Sequence, residues 1–189
     1  MNRRKTGKDK GATLIVLIIV IAFLLAVGIL VLYITGTGPK VAGNIRLQEQ
    51  AFNAAEAGFD NAWTLIEGSF VAAGWTNFEG HYITTPLGIS DPGQTNPDYF
   101  RRLTDEEILA AINPGDPNMI FYKIPYVMTQ SGTPDTRYTY TVFLIDDEAG
   151  GGDPDPFDAL LICIGTVQTG SVITTARLEI ELAVQLPGT

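Results

Sequence analysis

Three places in this sequence hold side chains whose chemistry could be put to use. The densest is "DDEAGGGDPDPFD", Asp146 to Asp158, with six acids in thirteen residues around a glycine run. Carboxylates this close can converge on Ca²⁺, which takes about six to eight oxygen ligands. The spacing does not match the EF-hand pattern of alternate acids, a central glycine and a distant glutamate. Two readings therefore stand side by side: a solvated acidic hairpin loop, or a calcium site drawn from Asp146, Asp147, Asp153, Asp155 and Asp158. The second place is His81, the single histidine, in a turn-rich stretch with no cysteine near it. A Ser-His-Asp triad or a His-based zinc site would have to be built around that one ring. The third is Cys163, the only cysteine, set among apolar neighbours where a thiol reads as core packing. No glycine-rich phosphate loop comes after any predicted strand. Enzyme activity is not expected, and no cofactor is implied beyond the calcium reading of the acidic loop.

Charge narrows the partners. Residues 1–11 hold five of the 12 basic side chains and one of the 21 acidic ones, giving +4. Residues 12–189 carry seven basic and twenty acidic side chains, a net −13. A body that acidic repels the phosphate backbone that dominates nucleic-acid affinity, so nucleic acid is not expected as a direct partner. A lone cysteine also rules out an internal disulfide, leaving packing to hold the fold.

The basic cluster leads into "GKDKGATLIVLIIVIAFLLAV", Gly7 to Val27. From Ala12 to Ile34 there are 23 residues without a charged side chain. As a helix they cover roughly 35 Å, enough to cross a hydrocarbon core of about 30 Å. Arg3, Arg4, Lys5, Lys8 and Lys10 in front predict a cytoplasmic N-terminus, with the chain after Tyr33 outside. A secretory signal would have a shorter apolar stretch and a small-residue cleavage site after it, and neither is present.

Beyond the span, "ITGTGPK" brings two glycines and Pro39, which predict a weak joint near Gly36–Pro39. From Val41, positions 41, 45, 48, 52, 55, 59, 62 and 66 recur at steps of four and three. All are apolar or small except Gln48, which is the pattern of an amphipathic helix with its stripe against a partner surface. Ala51, Ala54, Ala57 and Gly58 lie beside the stripe and are small enough to admit another helix closely.

"KG" before an apolar helix, then "VAGNIRLQEQAFNAAEAGFDNAW" (Val41 to Trp63), resembles the N-terminal region of PilX-type minor pilins of the type IV pilus system. The residues that carry the resemblance are Ala42-Gly43-Asn44, Arg46, Ala51-Phe52 and Ala54-Ala55-Glu56-Ala57-Gly58, within roughly residues 8–65. The resemblance implies a short basic leader removed by prepilin peptidase between Gly11 and Ala12, with N-methylation of Ala12. It also implies that the apolar helix stays and packs in a filament, with Phe52, Ala55, Glu56, Gly58 and Phe59 as its packing residues. Two positions depart from the common pilin pattern. Val16 stands at the fifth residue after the cut, where most pilins have a glutamate, and Ala12 stands where many begin with an aromatic residue. A carboxylate at the fifth position is thought to meet the N-terminus of a neighbouring subunit. Its absence, shared with PilX-type proteins and the K-type pseudopilin of type II secretion, suggests a place at or near the filament tip.

The remainder is sheet-rich. Residues 70–118 are dominated by turns, with one short helix expected at "TDEEILAAI", where Thr104 caps and Glu107 completes a capping box. Strands are predicted at Met119–Met128, with Pro125 pushing it to a sheet edge, and at Arg137–Ile145. A central strand is predicted at Ala159–Val167, and a last one after the turn Gln168–Ser171. That last strand alternates: Val172, Thr174, Ala176, Leu178, Ile180 and Leu182 share a covered face, and Arg177, Glu179 and Glu181 a wet one.

The pattern gives an α+β fold, and the resemblance makes it pilin-like: a long N-terminal helix, membrane-spanning in its first half, packed on a C-terminal antiparallel sheet. The expected organisation is a leader at 1–11, a transmembrane helix at 12–34, its amphipathic continuation at 35–69 and a β-rich extracytoplasmic head at 70–189. The expected role is a minor pilin that primes or caps assembly. Its partners would be other pilins and minor pilins, prepilin peptidase and the inner-membrane assembly platform. It would reside in the inner membrane with its head outside the cytoplasm, then in a cell-surface pilus. A type II secretion minor pseudopilin and an uncleaved single-span receptor or scaffold are the alternatives.

Overall fold

A computed structural model describes residues 9–90, 95–146 and 155–184, with the side chains of 9–12, 36–38 and 87 excepted. The chain divides into two compact units, Met1–Ile45 and Arg46–Thr189. In the first, the apolar residues build a helix whose side chains from Thr13 to Thr35 are all exposed. This helix, α1, runs Asp9–Val71 and is the one element among the described residues long and apolar enough to cross a membrane. The expected joint is not a break, because the helix continues through Pro39. A proline there forfeits one backbone bond, and the turns on either side keep theirs.

In the second unit, four strands form an antiparallel meander in the order β1-β2-β3-β4. They are β1 Phe121–Pro125, β2 Tyr138–Ile145, β3 Asp158–Thr169 and β4 Val172–Ala183. β1 is shorter than the run Met119–Met128 because its pairing slips between Phe121 and Ile124, where Lys123 takes a positive φ of 49°. Pro125 closes it at the sheet edge, where a missing N–H is tolerated. The β3–β4 hairpin turns through Gly170 and Ser171 alone. Gly170 has φ 62° and Ser171 stays out of that region, the pattern of a II′ turn.

Both faces of this sheet are covered. On one, Tyr140, Val142, Leu144, Leu161 and Cys163 pack with Ala55, Ala62 and Ile66 of α1. On the other, Phe143, Ile145, Leu160, Ile162 and Ile164 pack with residues from the turn-rich segment, including Ile83, Ile89, Phe100, Ile108 and Ile112. That segment contains two short helices, α2 at Leu87–Ser90 and α3 at Asp105–Ala111. The capping box forms at α3: Glu107 N–H donates to Thr104 Oγ1 at 3.3 Å, and Thr104 N–H to Glu107 Oε2 at 2.8 Å. The face of β4 expected to be wet is therefore partly roofed. Arg177 donates to the Phe100 carbonyl at 3.2 Å and pairs with Asp105 at 3.1 Å and Glu179 at 3.6 Å.

Asp116 ties the roof together. Its carboxylate accepts from Thr84 N–H at 2.9 Å, Thr84 Oγ1 at 2.8 Å, Thr85 N–H at 3.2 Å and Asn118 N–H at 2.9 Å. Burial pushes this carboxyl upward, but the N–H groups of Asn118 and Thr84, then the Thr84 hydroxyl, outweigh it and hold it below the ordinary aspartate range.

Helix and sheet meet most closely at Gly165 in β3. A Cβ there would collide with the Ala51 carbonyl oxygen and stand 2.5 Å from Ala55 N and 2.9 Å from Ala54 Cβ. Only a glycine lets the strand lie on the helix backbone at that point. Gly58 repeats the device from the helix side, since a Cβ on it would come within 3.0 Å of Val142 Cγ2 and 3.1 Å of Tyr140 Cβ.

Gly165→Ala should lower the stability of the full chain in micelles by about 1–3 kcal/mol, read from chemical denaturation. Asp116→Ala should cost about 1–3 kcal/mol by stranding its donors. Because the folded carboxyl titrates below its unfolded value near 3.9, its contribution is complete above that pH and lost as pH falls through the folded value. The variant should lack this part of the acid-side loss.

Candidate interaction surface

The sheet takes the small-residue side of α1. Ala51, Ala54, Ala55, Gly58, Ala62 and Ile66 are buried, the first three at 0% exposure. Polar contacts at the margins keep the helix from turning. Gln48 donates to the Thr175 carbonyl at 3.1 Å, and Asn61 donates to the Tyr140 hydroxyl at 3.0 Å. Tyr126 donates its hydroxyl to the Gln50 carbonyl at 3.2 Å.

Of the predicted stripe, Ala55, Ala62 and Ile66 are buried, Phe59 is half-buried and Phe52 faces solvent. Phe52 is 41% exposed and Trp63, next to the half-buried Phe59, 44%. Of the residues expected to pack, Ala55 and Gly58 lie under the sheet, Phe59 lies at its margin, and Phe52 and Glu56 face solvent. Ala51 and Ala54 meet a strand, where sequence reasoning foresaw another helix. The backbones approach where side chains are smallest, at Ala51, Ala54 and Gly58 beside the stripe and Ala55 within it.

Beside the helix, Phe59, Trp63, Ile66 and Phe70 join Phe78, Ile180 and Leu182 around an apolar groove of about 440 Å³. Glu67 and Glu181 also line it. The groove runs along the outer edge of the sheet, because among the described residues β4 has no strand on its far side.

A row of acids that the helical pattern of apolar residues did not bring out borders this surface. Glu49, Glu56, Asp60 and Glu67 are spaced at steps of seven, four and seven, and all four are exposed. Phe52, Phe59, Trp63 and Phe70 repeat those steps three residues later. On a helix this makes two neighbouring rows, one anionic and one aromatic. The signal was legible in the spacing. None of the four acids has an ion-pair partner among the described residues.

The other singled-out residues lie elsewhere. Asp146 is buried just after β2, and the Asp155 carboxylate accepts from Phe157 N–H at 2.9 Å. Asp158 opens β3, and Asp147 and Asp153 lie outside the described residues. Among the described residues no three His, Cys, Asp or Glu side chains gather as metal ligands. His81 stacks on Trp75 with ring centres 3.8 Å apart, and burial lowers its pKa. Cys163 is buried in β3, where desolvation pushes its thiol up to about 12 and leaves it protonated. Gly11 and Ala12 fall within the first turns of α1, and Val16 is one of the exposed apolar residues just beyond them.

The family model described as PilX N-terminal matches residues 10–60. Residues 10–60 are thus similar to the N-terminal domain of PilX-type type IV pilins, over 51 of the 189 residues. No curated protein and no solved structure matches it. The PilX segment includes the apolar helix, the small residues under the sheet and three of the four acids, and it ends at Asp60.

Proposed function

We propose that this chain is a minor type IV pilin that helps to prime or cap a filament after its leader is removed between Gly11 and Ala12. The observation that carries the reading is α1 itself. Its apolar half has every described side chain from Thr13 to Thr35 exposed, and its later half is held to a sheet. A helix of that kind suits a subunit that waits in a membrane and then packs among its neighbours. Its partners would then be other pilins, prepilin peptidase and the assembly platform. The leader's positive charge puts the N-terminus in the cytoplasm and the sheet on the far side of the inner membrane. Val16 supports a terminal place in the filament. No carboxylate stands there to draw in a neighbour's N-terminus, and a subunit at the end has no need of one.

Intact mass tests the processing step when the full chain is co-produced with a prepilin peptidase. The expected product has lost residues 1–11 and gained one methyl group. A full-length mass would instead mark an uncleaved single-span protein. In filament-forming cells, Val16→Glu should reduce filament initiation or move the subunit away from the tip. Unchanged initiation and position would remove Val16 as the determinant.

A further inference from the structure

We propose that the exposed side of α1 between Glu49 and Phe70, with the groove along β4, is a docking face for a different protein. The partner's contact element is an apolar helix edged by lysine or arginine. This inference rests on the filament-subunit reading and adds to it the chemistry of the partner.

The aromatic row and groove supply the apolar contact. Phe52 and Trp63 are each more than two-fifths exposed on the helix, and Phe59 and Phe70 lead into the groove of about 440 Å³. Aromatic rings in a recess of this kind are the groups that dominate contact energies when a partner excludes water from them. The acids select what docks there. Glu49, Glu56, Asp60 and Glu67 run three residues behind the rings, so a helix seated on the rings brings one edge beside the carboxylates.

A second copy of this chain fits poorly. Packed antiparallel through the same face, two copies would set one acid row against the other. Packed parallel and in register, each would turn its acids toward the partner's groove, which Glu67 and Glu181 line. Neither arrangement runs cations along the row, since Arg46, three residues before Glu49, is the one basic residue of α1 in this unit, and like charges placed together penalise the wrong partner. Arg177 is not available, because it is committed on the opposite face of the sheet to Asp105 and Glu179. An edge of lysine or arginine satisfies all four carboxylates at once.

The test uses the full chain in zwitterionic nanodiscs with Trp75→Phe, which leaves Trp63 as the one tryptophan. The probes are synthetic amphipathic helices of about 20 residues, long enough to hold helical structure. One has a leucine face edged by lysine, a second the same face edged by glutamate, and a third the lysine composition scrambled to abolish the face. The lysine-edged helix should bind at least about tenfold tighter than the other two and shift Trp63 emission to the blue, with the preference shrinking in high salt. Glu49→Lys, Glu56→Lys, Asp60→Lys and Glu67→Lys together should reverse the preference between the two edged helices. If that variant does not fold, Asp60→Lys with Glu67→Lys should weaken it. Equal binding of the edged and scrambled helices, a preference that survives charge reversal, or self-association through Trp63 would overturn the proposal. Leader removal is scored by mass on the same preparation. A cleaved chain that binds no helix overturns the docking face alone, and an uncleaved chain overturns the filament reading.

Discussion

The second unit depends on one close approach, the backbone of β3 lying against the backbone of α1 at Gly165. No side chain separates them there, and the helix answers with Ala51, Ala54 and Ala55. The contact fixes which side of the helix is buried, and so which side is left over. Gly58 against Tyr140 and Val142 holds the next turn in the same way. From there the sheet can bury large residues on both faces. β3 is buried from Ala159 to Gly165 because α1 covers one side and the turn-rich segment held by Asp116 covers the other.

Settling the helix on its smallest residues has a functional consequence. Two of its aromatic side chains, Phe52 and Trp63, are not consumed by the fold and stay accessible beside an acidic row. A protein meant to remain alone would leave such a surface only at a cost in solubility. The segment similar to the PilX N-terminal domain, residues 10–60, includes Phe52 and Phe59 of this surface. The Cys163 thiol is protonated by burial, and His81 is stacked on an indole.

Much of this fold was legible in the sequence. The uncharged run, the alternation of β4, the capping box at Thr104 and Glu107 and the tight turn near Gly170 are local signals, and each has a matching element. Resemblance to PilX-type pilins rested on residues that lie within the matched segment 10–60. What stayed hidden was non-local. Helical periodicity marks which residues can share a face but not how near another backbone will come. It put Ala55, Ala62 and Ile66, which the sheet buries, in one stripe with Phe52, which the sheet leaves out. A glycine inside the apolar strand "ALLICIGTV" was the one sequence sign of that choice. The roof over the second face has no periodicity at all, and Phe100 and Asp116 sit among turns where nothing announces burial. The long helix was legible through Pro39 as well, and α1 continues past it. Of the docking surface, the acids' seven-four-seven spacing was readable, but only the packing reveals that the aromatic row beside it is exposed.

The central claim is that α1 has one side locked to the sheet and the adjacent side open. Thiol reactivity at two positions three residues apart tests it directly in the full chain with Cys163→Ala. Trp63→Cys replaces a residue 44% exposed, and Ile66→Cys one 2% exposed. Alkylation at position 63 should proceed at the rate of an open thiol, while position 66 should react only after denaturation. Equal rates at the two positions in the folded chain would contradict the account.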